Sequence, residues 1–312
     1  MMGQLRLLII LTFITQACKD PDMKITVSNT LKVENLPSGS GIVKSGDIYY
    51  VIGDDSPFLF SLDKDFKIIS KLPLLDSVNF LDERIIKAEK PDFEAMEMVA
   101  ENELVIFGSG SKSPERDVFI HIHLGDSITV EKYDISSFYN NLRNRPIFKD
   151  SELNIEASAF YNNHIFLFNR KKNLIIKFEY NKLLSYIKGE LDFPKPEITQ
   201  FSLPKINGIE AGFSGATALK GEPKIIFTAS VEDTDNAYDD GEILGSFIGI
   251  IDISKNTISD VFTYCEIPNA EANLKVESVT VEEEISSGKT KLVLITDDDK
   301  GNSIILESVL LW

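Results

Sequence analysis

The residues best able to do chemistry in this 312-residue chain are carboxylates. Glu94, Glu156, Glu210 and Glu277 each stand at or just before the start of a stretch of alternating apolar and polar side chains. Asp54, Asp55, Asp297, Asp298 and Asp299 stand just past the end of the stretch that follows. If several of these groups converge, they cannot all stay ionised without a counter-charge, and a hard, oxygen-ligated cation such as Ca2+ is one natural neutraliser. The metal candidates on that reading are Glu94, Glu156, Glu210, Asp240, Glu277, Asp297, Asp298 and Asp299. The competing neutraliser is a basic side chain. Arg170 ends one alternating stretch, and Lys112 and Arg116 lie in a loop of another, so an internal ring of salt bridges is the alternative arrangement. The acid-richest loop, Ser230 to Gly241, carries Glu232, Asp233, Asp235, Asp239 and Asp240 beside Asn236 and Gly241. Its spacing is not that of an EF-hand, and a solvated surface loop is the other reading.

Other chemistries lack their residues. His121, His123 and His164 are the only histidines. His121 and His123 share a face at period 2 but have no third ligand near in sequence, so they read as ordinary strand histidines. Gly108-Ser109-Gly110-Ser111 and Ser38-Gly39-Ser40-Gly41 are turn chemistry and not a nucleophile elbow, and no phosphate-binding GxxxxGK[ST] loop occurs. Cys265 lies in the alternating run Val261 to Ile267 and reads as a buried strand thiol, while Met96 and Met98 read as core. The formal charge of −17 repels phosphate backbones, so no nucleic acid is expected as a partner.

The elements that position the carboxylates are strands. Segments of period 2, rich in β-branched and aromatic residues, recur along the chain, and long helical patterns are nearly absent. Five self-similar units emerge, each with a small or acidic start, a strand, a turn and further strands. Their starts are Ser38 to Val43, Phe93 to Val99, Ile155 to Phe160, Gly212 to Thr217 and Val276 to Val281. A spacing of about 55 to 62 residues leaves room for four strands and one excursion per unit. The expected fold is all-β, a single β-propeller with five blades, six being possible and a β-sandwich the runner-up. Lys24 to Glu34 is expected to pair with Ile304 to Trp312 and close the ring. Ile135 to Asn144 and Asn181 to Lys188 are the expected helical excursions.

The first residues carry a separate argument. Arg6 precedes the apolar run Leu7 to Ile14, which is far short of the roughly 20 residues that span a bilayer and reads as the core of an export signal. Ala17 directly before Cys18 resembles the lipobox of bacterial lipoproteins, although Thr15 stands where Leu is usual. The expected organisation is a removed signal at residues 1–17, a lipidated tether at 18–24 with the lipid on Cys18, and the propeller at 25–312. Lys19 to Asp22 resembles a surface-export tag. The expected place is the outer membrane, facing periplasm or exterior, with membrane contact through the lipid alone, and a monomer is expected.

Three phrases carry a family resemblance: Ile155-Glu156-Ala157 with Phe168-Asn169-Arg170, Phe213 to Thr217 with Tyr238 to Ser246, and Val276 to Val279 with Thr296 to Asp299. The chain resembles an uncharacterised family of bacterial lipoproteins related to the phytase-like and SdiA-regulated β-propellers. That resemblance implies a propeller over essentially the whole mature chain and no established reaction. It also places Asp297 to Asn302 where phytase-like propellers bind calcium. Those enzymes grip phosphate with several basic residues, where this chain offers only Arg170 and Lys300. Two functions follow: a ligand- or partner-binding module for a small molecule or an envelope protein, or a calcium-dependent hydrolase of phosphate or other esters. The catalytic candidates of the second are Glu156, Glu210, Asp240 and Arg170.

Overall fold

Four apolar runs, Leu104 to Phe107, Ile165 to Phe168, Ile225 to Phe227 and Leu292 to Ile295, are buried at every residue. A strand with one packed face is buried at every second residue, so strands buried throughout must lie inside a sheet that is covered on both sides. The computed structural model describes residues 18–19, 22–75, 80–81, 84–125, 127–233, 241–254, 258–268, 273–297 and 302–312. In it each of these runs is the second strand of an antiparallel sheet.

Ahead of the first blade lies β1 (Lys24–Val33). Blade 1 follows as β2 (Gly39–Ser45), β3 (Ile48–Gly53), β4 (Phe58–Leu62) and β5 (Ile68–Pro73), and blade 2 as β6 (Phe93–Ala100), β7 (Glu103–Gly108), β8 (Val118–Leu124) and β9 (Ile128–Asp134). After α1 (Ser136–Arg143), blade 3 is β10 (Ile155–Tyr161), β11 (His164–Asn169) and β12 (Leu174–Glu179), completed beyond α2 (Tyr180–Ile187) by β13 (Glu197–Gln200). Blade 4 is β14 (Gly212–Ala218), β15 (Lys224–Asp233), β16 (Glu242–Asp252) and β17 (Phe262–Glu266). Blade 5 is β18 (Val276–Ser286), β19 (Lys289–Asp297) and β20 (Ser303–Leu311), with β1 returning as its fourth strand.

The innermost strands β2, β6, β10, β14 and β18 touch in a closed cycle, each against the next and the last against the first. This is a five-bladed β-propeller, with the five blades expected from the sequence and not six. Five apolar clusters fill the spaces between successive blades. One joins Ala95, Phe107 and Phe119 of blade 2 to Ile155, Leu167 and Ile176 of blade 3, and the others repeat the arrangement around the ring. Two stacked sheets would have one such interior.

Closure follows the expected pairing. Lys24 lies opposite Leu311 and Val33 opposite Ser303, which ties a strand near the start of the chain to the last. Ile25 and Met23 sink into the cluster between blades 4 and 5. The two helices fall where their patterns place them. Phe138, Tyr139 and Leu142 of α1 enter the cluster between blades 2 and 3, and the hydroxyl of Tyr139 donates to the carbonyl of Gly108 at 2.6 Å. Cys265 is buried in β17, as its alternating context requires. Met96 is core, and Met98 packs against the same cluster. Residues 1–17, which carry the expected export signal, lie outside the described residues, and of residues 18–24 positions 20 and 21 do.

The inner strands approach so closely that side chains are a burden there. A Cβ on Gly215 of β14 would stand 2.7 Å from Cα of Ser278 on β18 and 2.5 Å from Oγ1 of Thr228. Gly215→Ala is therefore expected to destabilise the protein by roughly 1–3 kcal/mol through overpacking between blades 4 and 5. The measurement is the midpoint of urea unfolding. An unchanged midpoint would mean that the inner strands spread without cost.

Candidate functional site

On an inner strand, side chains alternate between the two clusters that flank the blade, and only the strand edge faces the central axis. In β6, Phe93 and Met96 enter the cluster shared with blade 1, whereas Ala95 enters the one shared with blade 3. Strict alternation would put Phe93 and Ala95 on the same side, so the pattern breaks at Glu94. The pairing shows why: Phe93 lies opposite Gly108 and Ala95 opposite Phe107, which leaves Glu94 without a partner. This is a β-bulge, whose extra residue is free to turn away from both faces. The same slip occurs in every blade. It leaves Ser40 unpaired in β2, Glu156 in β10, Ser214 in β14 and Glu277 in β18.

A ring of five bulge residues, Ser40, Glu94, Glu156, Ser214 and Glu277, thus marks one mouth of the channel. The serines staple neighbouring blades. Ser40 Oγ donates to the carbonyl of Phe93 at 2.5 Å, and Ser214 Oγ donates to that of Val276 at 2.6 Å. The glutamates enter a charge network instead. The second strand of each blade ends where the first begins, since Gly39 pairs with Gly53 and Val276 with Thr296. The groups that follow those second strands therefore reach the same mouth.

On one side of this mouth, Lys90 binds Asp54 and also Asp92, the latter at 2.8 Å. Asp92 further accepts from Arg116 and from Ser109 Oγ, the latter at 2.6 Å. On the other side, Arg170 reaches Glu156 at 3.3 Å and Glu232 at 2.9 Å, and Lys275 reaches Glu277 at 3.0 Å and Glu232 at 3.9 Å. Asn154 Nδ2 adds a hydrogen bond to Glu156 at 2.5 Å. Glu94 lies between the two halves. One oxygen from each of Asp54, Asp92 and Glu94 falls within 4.8 Å of the other two. Among the described residues, no hydrogen bond or ion pair holds the Glu94 carboxyl.

The protonation states follow from this arrangement. Burial drives the Glu94 carboxyl well above the usual carboxylate range, and repulsion from Glu156, Asp92, Asp54 and Glu277 adds to it. Glu277 is pushed up to about 7, chiefly by burial, with Lys275 opposing the shift and Glu156 reinforcing it. Burial also works against Asp92, but Lys90 and Arg116 outweigh it and hold that carboxyl below its ordinary value. Burial opposes the charge on Lys90, Arg170 and Lys275 too. Asp54 and Asp92 keep Lys90 protonated, Glu156 and Glu232 keep Arg170 so, and Glu277 keeps Lys275 so.

Residues 35–310 match DUF6929, a family of unknown function. The chain belongs to DUF6929. No curated protein matches its sequence. Among solved structures it is similar to the glutaminyl cyclase of Myxococcus xanthus, at 10% identity and a TM-score of 0.53 over 93% of this chain and 97% of that one. It is also similar to the PQQ-bound aldose sugar dehydrogenase of Streptomyces coelicolor, at 11% identity and a TM-score of 0.47 over 94% and 100% of the two chains. A third similar structure is a DUF4221 member from Bacteroides vulgatus, at 8% identity and a TM-score of 0.45 over 94% and 100%. The first of these shares the fold with the DUF6929 chain, and the likeness reaches no further.

Of the residues picked out by sequence, this DUF6929 ring brings together Glu94, Glu156, Glu277, Asp54, Arg116 and Arg170. Glu210 is not brought in. It precedes the bulge residue Ser214 by four positions, is exposed, and accepts from the N–H of Leu203 at 2.9 Å and the amide of Asn173 at 3.3 Å. Lys112 turns to the carbonyl of Ala88 at 3.1 Å and to Glu115 at 3.7 Å. Asp55 pairs with Arg84 at 2.5 Å beside the network. His121 sits between Glu103 and Glu131, each at 3.4 Å, on the outer part of blade 2. Asp240, Asp298 and Asp299 lie outside the described residues; Asp297 ends β19, and Cys18 forms a short backbone pairing with Thr263 on the edge of blade 4. Sequence reasoning missed Lys90, Asp92 and Lys275. Asp92 and Lys275 stand two residues before a bulge glutamate, an offset that alternation assigns to the same mouth.

Two variants probe the network. Glu94 has a folded value above its unfolded one, so its contribution to stability is complete below the unfolded value and is lost as pH rises through the folded value. Glu94→Gln is expected to raise the melting midpoint near pH 8 and to leave it nearly unchanged near pH 4. A pH-independent difference between the two proteins in thermal melts would overturn this assignment. Arg170→Met leaves Glu156 and Glu232 without their shared cation and is expected to cost about 3–5 kcal/mol in denaturant unfolding.

Proposed function

We propose that this protein is a binding module of the bacterial cell envelope, tethered through a lipid on Cys18, which takes a positively charged ligand into the acidic mouth of its ring. The observation that carries this reading is Glu94. It lies at the centre of a mouth where Asp54, Asp92, Glu94, Glu156, Glu232 and Glu277 outnumber Lys90, Arg116, Arg170 and Lys275 by two, and without a ligand it halves that excess by holding a proton. A ligand that brings a cationic group supplies the missing charge and releases the proton.

Calcium is the simplest such ligand. Oδ1 of Asp54 is buried without a hydrogen-bond partner, and Asp54, Asp92 and Glu94 offer oxygens close enough to share an ion. Those three residues would hold it. Calcium prefers six to eight oxygens, and Lys90 already bridges Asp54 and Asp92, so the described residues supply only part of a calcium shell. An organic ammonium needs fewer ligands and fits the same excess.

Hydrolysis of phosphate or other esters is the second reading, favoured by Glu277, whose carboxyl at about 7 suits proton transfer near neutrality, beside Glu94, which is also raised. The cations of the mouth are each engaged by carboxylates, which leaves none of the four free to grip a phosphate. Binding is therefore the better reading.

Thermal melting in millimolar calcium and then in chelator tests it, because a ligand bound only by the folded form raises the midpoint. The expected result is a rise of a few degrees that Glu94→Gln abolishes. A midpoint indifferent to calcium and to a panel of small amines, in both proteins, would remove the cation-binding reading.

A further inference from the structure

The opposite end of the ring carries a cleft of about 1060 Å3, bordered by the far ends of all five inner strands. It shares no residue with the acidic mouth. Its lining includes Tyr50, Phe160 and Tyr161, each only partly buried and packed against a different inter-blade cluster, and Glu97 in mid-strand on β6. Glu97 Oε1 accepts from the N–H of Met98 at 2.9 Å and Oε2 from the N–H of Phe160 on the neighbouring inner strand at 3.2 Å. Those two contacts fix the carboxyl against the channel wall while supplying no positive charge.

We propose that this cleft is a second binding site, for a small organic ammonium compound, with Glu97 as its counter-charge and the rings of Tyr50, Phe160 and Tyr161 as its apolar wall.

The surrounding charges favour a cation over an anion or a neutral polyol. The other charged groups on the lining are Lys44 from β2, Glu101 after β6, Lys220 after β14, and Glu282, Glu283 and Glu284 from β18. Lys44 is taken by Glu282 at 2.8 Å, with Tyr49 on the same carboxylate. Glu283 is paired with Lys291 at 2.6 Å, and Glu284 accepts from the N–H groups of Lys220 and Gly221 at 2.6 and 2.9 Å. Lys220 is the one lining cation that acts on Glu97, and it does so weakly enough that burial prevails and leaves the carboxyl up at about 8. At neutral pH the cleft thus holds a protonated acid on a lining that also carries Tyr50, Phe160 and Tyr161. A quaternary ammonium offers what both features lack, a charge for the carboxylate and a weakly hydrated methyl surface for the aromatic residues. On binding, the Glu97 proton passes to solvent.

Choline, titrated calorimetrically between pH 6 and pH 9, is the probe, with 3,3-dimethyl-1-butanol as its neutral isostere. Affinity for choline is expected to rise about tenfold per pH unit up to the Glu97 value and then to level off, because one proton is released per choline bound. Repeating the titration in buffers of different ionisation heat should show that proton. Glu97→Gln is expected to remove the pH dependence and to weaken choline at pH 9 by about tenfold or more, the loss of one charge-assisted contact. Tyr161→Ala, which leaves the carboxyl in place, is expected to weaken binding severalfold while keeping the pH slope. Absence of choline binding at pH 9, equal affinity for the neutral isostere, or a folded Glu97→Gln protein that retains the wild-type slope would each overturn the proposal.

Discussion

The inner strand of a propeller blade presents its edge to the axis, and ordinary alternation sends every side chain into one of the two flanking apolar clusters. Where that alternation fails a side chain can turn to the axis instead, and this protein makes it fail at the same position near the start of every inner strand. The chemistry of the mouth then depends on which residue occupies the slip. Serine at Ser40 and Ser214 is short enough to bond the next blade's first carbonyl, so the slip becomes a staple. Glutamate at Glu94, Glu156 and Glu277 reaches past the backbone, and the slip becomes a charge aimed at the channel. One backbone device thus does two jobs, and the pattern Ser-Glu-Glu-Ser-Glu sets an asymmetric mouth on a nearly symmetric ring.

Concentrating carboxylates there is costly unless cations lie between them. The ring meets this condition by interleaving. Asp54, Lys90, Asp92 and Arg116 form one chain across blades 1 and 2, and Glu156, Arg170, Glu232, Lys275 and Glu277 form the other across blades 3, 4 and 5. Each cation in the second chain touches two carboxylates, and Glu232 is shared between them. Glu94 belongs to neither chain, and this is why its proton is the variable of the mouth. The packing that encloses it is apolar and extends to the closing strand, where Ile25 and Leu306 share the cluster between blades 4 and 5. The rigidity of the site therefore depends on closure of the ring.

The strands, the five blades, the closing pair and both helices were legible in the sequence because each is written in local alternation. Leu104 to Phe107 reads as a strand buried on both sides without reference to anything distant. The bulges were not legible in the same way. A one-residue slip leaves an alternating stretch looking alternating, and only the partner strand reveals that Glu94 is the residue skipped. For the same reason Glu210 was grouped with Glu94, Glu156 and Glu277. It stands near a strand start, but the skipped residue of blade 4 is Ser214, and the intervening residues carry Glu210 out to the Asn173 loop. Lys90 and Lys275 were missed because a lysine ahead of a strand reads as a solvated loop residue until the carboxylates that enclose it are known.

Antiparallel sheets impose a further division. The turns after second strands and the connections between blades gather at one mouth, while the hairpins joining first to second strands gather at the other, so the two ends are built from different segments of chain. Glu94 and Glu97 sit three residues apart on one strand, a rise of about 10 Å, and both are raised by burial. Their remaining influences do not overlap. Those on Glu94 are the carboxylates of its own mouth, whereas those on Glu97 are the N–H groups of Met98 and Phe160 and the ammonium of Lys220. The neighbouring acids that would make Glu94 answer to an incoming charge are not among the groups that act on Glu97. The two ends of the channel therefore answer separately, each to the charge arriving there.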